Sequence, residues 1–143
     1  MPSPPSLIDA ELRAALHDGT FTTRHAAVVT LLRRGYAGAL ALQNVGPEEE
    51  LATALCAAQA CVDTLHALDE PVPPATPDSN EEHTPPQVPP TLLADTIAEI
   101  GRLSRFTLMD LAAAEHDPGR QLALLNAALS AAQLHHIMQS ERP

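Results

Sequence analysis

Seven histidines and two cysteines are the side chains of this chain with the most obvious capacity for metal or nucleophilic chemistry. Asp63 and His66 stand three residues apart, one helical turn, and so share a face if that stretch is helical. His135 and His136 sit at a comparable depth in the last apolar stretch of the chain. Brought together inside a four-helix bundle, these groups would form an oxygen–nitrogen donor set of the kind that holds zinc or a metal pair. Bundles of that kind use paired Glu-x-x-His helices, and metalloproteases use His-Glu-x-x-His; neither pattern occurs here. The histidines therefore read as helix-end residues partly open to solvent, and no metal or cofactor is assigned to them.

Other constellations are weaker. Cys56 and Cys61 are five residues apart, which on one helix points them to different sides, so they read as two unpaired small core residues of a reducing cytosol. Glu48, Glu49 and Glu50 are consecutive, and consecutive residues fan out around a helix instead of converging on an ion. They suit a helix start, where the backbone dipole favours carboxylates. His66 resembles the exposed histidine of phosphotransfer bundles, but the Ala67-Leu68-Asp69 that follows departs from the lysine and small residue expected there. There is no Gly-x-Ser-x-Gly elbow and no phosphate-cradling loop among only six glycines, so an enzyme is not expected.

Charge narrows the partners. The chain has a formal net charge of −10, and all eight basic residues are Arg. Nucleic-acid affinity rests on cations that displace phosphate counterions, which makes a nucleic-acid partner unlikely on charge grounds. Arg24, Arg33 and Arg34 are the residues a small bacterial DNA-associated regulator would use, although Arg33 and Arg34 fall late in a long helix and no preceding short turn sets them for a groove. The absence of Lys beside abundant Ala and Pro resembles the codon bias of a high-GC bacterial genome. No apolar run approaches the ~20 residues needed to cross a bilayer. Met1 to Ser6 lacks the basic and apolar regions of a secretion signal, so a cytoplasmic protein without membrane contact is expected.

The elements that must position these groups are helices. Apolar residues make up 45% of the chain but aromatics only 2%, so the core must come from Leu, Ala, Ile and Val, which suit closely packed helices better than a β-sandwich. Ser6 caps a short helix that stops near Gly19. Thr22 or Thr23 caps a second, from about residue 24 to 43, with Val28, Leu32, Tyr36 and Ala39 as its stripe; Gly35 and Gly38 inside it mark a close helix–helix contact. Asn44-Val45-Gly46 makes a turn and Pro47 takes the first position of a third helix running to about Asp69. Its stripe is Leu51, Leu55, Ala58, Val62, Leu65 and Leu68.

Residues 71–90 hold eight prolines and two bulky apolar residues, Val72 and Val88, too little to offset the entropy of ordering them. They read as a disordered Pro-rich linker. A fourth helix from Thr91 to about Glu115 carries Leu93, Ile97, Ile100, Leu108 and Leu111 on one face, with Glu99 and Arg102 paired at its surface. Asp117 and Pro118 start the last, whose stripe is Leu122, Leu125, Leu129 and Ala132. LNAALSAAQ at 125–133 matches LATALCAAQ at 51–59 in six of nine positions, which suggests two related helical hairpins.

The expectation is an all-α bundle of four long helices plus a short N-terminal one, a single domain over 1–143. It comprises a first hairpin with the N-terminal helix (7–69), the linker (70–90) and a second hairpin (91–139). Apolar residues outside the single stripes call for a second covered surface. Val29, Leu31, Leu40, Leu124, Leu134, Ile137 and Met138 are its candidates, either facing a second copy in a homodimer or covered by Leu7, Ile8, Leu12 and Leu16 of the first helix. The functional expectation is a non-enzymatic protein-interaction or regulatory subunit acting through helix surfaces as a homodimer, with another protein as partner. The alternatives are the DNA-associated regulator and a metal-binding helical bundle.

Overall fold

The computed structural model describes residues 8, 10–17, 20–45, 48, 51–71 and 90–140. Among them the chain is all α-helical, with α1 at Ala10–Leu16, α2 at Phe21–Val45, α3 at Leu51–Ala67, α4 at Pro90–Ala114 and α5 at Pro118–Ser140. The expected linker, save Glu70, Pro71 and Pro90, lies outside the described residues, as do Pro47, Glu49, Glu50 and Leu7.

Local chemistry sets the helix ends. The Thr20 carbonyl accepts the Arg24 N–H at 3.1 Å, so α2 starts one turn before Arg24, and Thr22 and Thr23 lie inside it rather than capping it. At α5 the Asp117 carboxylate accepts the Arg120 N–H at 2.9 Å with Pro118 in the first helical position, a side-chain cap as expected. The described part of α3 begins at Leu51, and Pro47, expected at its first position, lies outside the described residues. Its end closes with Glu70 N–H on the Leu65 carbonyl at 2.9 Å and Asp69 N–H on the His66 carbonyl at 3.0 Å. This doubly bonded termination needs a left-handed residue, and Asp69 supplies it at φ 58°, where glycine would be unstrained.

Each long helix has two neighbours: α2 packs on α3 and α4, and α5 packs on α3 and α4. The pairs run antiparallel. Arg33 of α2 reaches Glu70 past the end of α3, Arg24 reaches Asp110 late in α4, and Gln121 of α5 donates to the Ala112 carbonyl of α4. Consequently α3 ends at the end of the bundle where α2 begins, while α4 begins at the other end. Pro71 and the start of α4 therefore lie at opposite ends of the bundle. Helix α1 lies on α2. Leu12 and Leu16 of α1 and Ile8 before it are buried, and the Arg24 Nε donates to the Leu16 carbonyl at 3.1 Å.

The core confirms the expected stripes of α2 and α4: Val28, Leu32, Tyr36 and Ala39, and Leu93, Ile97, Ile100, Leu108 and Leu111, are all buried. The stripe of α3 holds at Ala58, Leu65 and Leu68, with Val62 packed against the core, and is corrected at Leu51 and Leu55; the leucines of the α5 stripe are corrected. In α3 the buried residues are Ala54, Ala57, Ala58, Ala60, Cys61, Thr64 and Leu65, while Leu51 and Leu55 face solvent. In α5 Leu124, Ala127, Ala128, Ala131, Leu134 and Met138 are buried and Leu122, Leu125 and Leu129 are exposed. Small residues on the inner faces let the backbones approach closely, and contact between backbones replaces the area that leucines would have buried. At Gly101 a Cβ would stand 2.7 Å from the His135 backbone nitrogen and 3.0 Å from the Ala131 carbonyl oxygen, so the α4–α5 contact is made there by bare backbone.

Candidate functional site

The histidines do not assemble. His66 is exposed on α3, and its helix neighbour Asp63 accepts from the Gln59 side chain at 2.9 Å. On α5 the half-buried His135 places Nδ1 3.1 Å from the Ala98 carbonyl, which only accepts, so Nδ1 carries the proton in that bond, while His136 is exposed. No group of three or more His, Cys, Asp or Glu among the described residues could hold a metal ion. Burial pushes the Cys61 thiol up to about 12, which keeps it protonated at neutral pH, and Cys56 is exposed on another side of the helix.

The arginines considered for nucleic acid are engaged within the chain. Arg24 meets Asp110 at 3.1 Å, and Arg33 meets the Glu70 carboxylate and the Pro71 carbonyl, both at 3.4 Å. Arg34 is half-buried. Glu99 collects cations from three helices. The Arg102 side chain on its own helix bonds it at 2.8 Å, Arg13 of α1 approaches to 3.9 Å, and His135 of α5 contributes the smallest of the electrostatic effects on it. The Arg102 hydrogen bond is the main reason the Glu99 carboxyl lies below its ordinary value, and Arg102 is raised in turn.

A cleft of about 680 Å³ opens where the start of α2, the end of α3 and the start of α5 meet. Val29, Leu68 and Leu124 contribute apolar lining, and His25, Arg33, Asp69, Glu70, Glu115 and Arg120 contribute charged or titratable groups of both signs. Arg33 and Glu70 satisfy each other, and the His25 ring stacks on Phe21 with centroids 6.2 Å apart.

The residues expected to face a second copy are placed inside the chain. Val29, Leu31, Leu124, Leu134 and Met138 are buried, and Leu40 and Ile137 pack against the same core. The burial of Ile8, Leu12 and Leu16 shows the N-terminal helix also serving that core. The exposed apolar surface is elsewhere. Leu122, Leu125 and Leu129 of α5 are 60, 45 and 63% exposed, and Phe106 and Met109 of α4 are 50 and 45% exposed.

Phe106 and Met109 stand level with these leucines on the neighbouring helix. Gly101 lies beside Ala131 and His135, and Ala112 opposite Gln121, so antiparallel register sets Phe106 about level with Ala127 and Met109 about level with Leu124 and Leu125. Arg102 and Arg105 flank the Phe106 ring at 5.9 and 5.4 Å from its centroid. Sequence reading found the leucines as a stripe and pointed it inward. The signal that the stripe could face outward was present in α5 itself, which is apolar on both sides.

No protein-family model, curated protein or solved structure matches this chain.

Proposed function

We propose that this protein is a non-enzymatic interaction or regulatory subunit that works as a homodimer through a helix surface. The observation that supports it is the leucine face of α5. Three leucines at 45 to 63% exposure, with Phe106 and Met109 beside them on α4, form the kind of grouped apolar surface that marks a protein contact. Single exposed apolar residues, such as Phe21, Leu51, Leu55 and Leu92, are ordinary; five at matching levels of two adjacent helices form a group. The arginines at Arg24 and Arg33 are occupied by Asp110 and Glu70, so the observations favour a protein partner over nucleic acid.

Light scattering tests the reading directly. The expected mass is twice the 15.1 kDa of one chain at micromolar concentration. A mass of one chain throughout that range would overturn the dimer.

A further inference from the structure

We infer that the leucine face of α5 pairs with the same face of a second copy, antiparallel about a two-fold axis beside Ala127; this rests on the homodimer reading and specifies its contact. The exposed residues Leu122, Leu125 and Leu129 follow steps of three and four, continued by the half-buried Ala132. That is the a–d–a–d spacing of a coiled-coil seam, the pattern by which one helix packs against another. In antiparallel pairing each a position meets a d position. The best-filled register sets Leu125 against Leu129 of the partner subunit, twice, with Leu122 against Ala132 of the partner subunit outside them, large against small.

Two further observations fit a second copy as the occupant. Between Pro118 and Ser140 the helix carries one formal charge, Arg120, in a chain of formal net charge −10. The exposed residues beside the seam on α5 include Asn126, Gln133 and His136, and α5 carries no Asp or Glu, so its face approaches itself without setting carboxylate against carboxylate; the cations nearest it are Arg102 and Arg105 around Phe106. Moreover, the seam is centred by its own spacing near Ala127, and Phe106 of α4 stands at the same level from the unrelated evidence of the α4–α5 contacts. Both apolar elements of the face are therefore centred on one point, as a two-fold contact requires.

Leu125→Glu and Leu129→Arg test the register, with Leu122→Glu as a further disruptive variant. These sites are exposed, so the variants should keep wild-type helix content. Each alone should fall from twice the chain mass to the mass of one chain, because the new charge meets a leucine. An equimolar mixture of Leu125→Glu with Leu129→Arg should regain twice the chain mass, since one carboxylate then faces one guanidinium and the other central pair stays Leu on Leu. Mixing Leu125→Glu with Leu125→Arg should stay monomeric. Recovery in that second mixture instead of the first would mean parallel pairing and overturn the inference. Single variants that remain dimeric would place the contact elsewhere, overturning the inference but leaving the homodimer. A monomeric wild type would sink both.

Discussion

Gly101 is where the packing of this molecule is least forgiving. Its missing side chain is replaced by the backbone of α5, and atoms of a main chain cannot rotate aside as a side chain can. Gly101→Ala recovers ~1 kcal/mol of helix propensity, yet overpacking costs about 1–3 kcal/mol and here lies at the upper end. The expected outcome is a net loss, read as a lower midpoint in urea. Gly35→Ala is the contrast: the nearest atoms to its Cβ would be the Ile100 Cγ2 at 3.2 Å, the Cys61 Sγ at 3.3 Å and the Ile100 Cδ1 at 3.6 Å, side-chain atoms able to give. That variant should stay within ~1 kcal/mol of the wild type, the propensity gain offsetting the contact. Ser104 has the opposite character. It is fully buried and its hydroxyl has no hydrogen-bond partner among the described residues, whereas the buried Thr64 hydroxyl donates to the Ala60 carbonyl at 2.7 Å. Ser104→Ala should raise stability by about 1 kcal/mol, since it removes a desolvated polar group from a helix that prefers Ala; an unchanged or lower urea midpoint would contradict this.

At the scale of the element, rotation of α3 and α5 about their axes decides which residues matter. Leu55 is 51% exposed and Leu65 fully buried on the same helix. Leu55→Asp should therefore leave the melting temperature within a degree or two, as for other surface substitutions of about ±0.5 kcal/mol. Leu65→Ala should cost about 2–5 kcal/mol through lost burial and a cavity. Were Leu55→Asp to unfold the chain, the helix phase described here would be wrong. Helix α1 is joined to the rest partly through Glu99, which receives Arg102, Arg13 and the charge of His135. The folded state holds the Glu99 carboxyl below its ordinary value of 4.5, so ionised Glu99 favours folding. That contribution is fully present above the ordinary value and is lost as pH falls through the lowered folded one. Glu99→Gln should accordingly melt lower than wild type at neutral pH, and the gap should narrow as pH drops below 4.5. A gap independent of pH would show that packing, not charge, carries the effect.

At the scale of the whole molecule, the formal charge of −10 and the neutral face of α5 act against each other. Two copies repel through solvent while their contact surface does not, so association should tighten as salt rises. The screening length shortens from about 30 Å at ~0.01 M to about 8 Å at ~0.15 M, well inside the dimensions of a bundle this size. Sedimentation equilibrium at low micromolar concentration should show the dimer fraction growing over that range. A contact held by interfacial ion pairs would weaken with salt, and that result would remove the apolar face from consideration. The short connection from Glu115 to Asp117 sets α4 and α5 side by side, so Phe106 and the leucines stand on adjacent helices.

By itself the sequence determined the class of the fold and where its helices lie, because aromatic-poor, Leu- and Ala-rich composition and three-and-four spacing are local properties. The Asp117-Pro118 start, the Glu99–Arg102 pair and the inward stripes of α2 and α4 were legible for the same reason. The candidate site was half legible: Leu122, Leu125, Leu129 and Ala132 stood out as a stripe, but hydrophobicity alone turned it inward. Tertiary structure decided the direction. Where two helices are lined by alanine and glycine they pack backbone to backbone, as Gly101 does against Ala131 and His135, and the larger leucines are left outside. Burial in such a bundle follows how closely helices can approach, a property of two helices together that neither carries in its own periodicity.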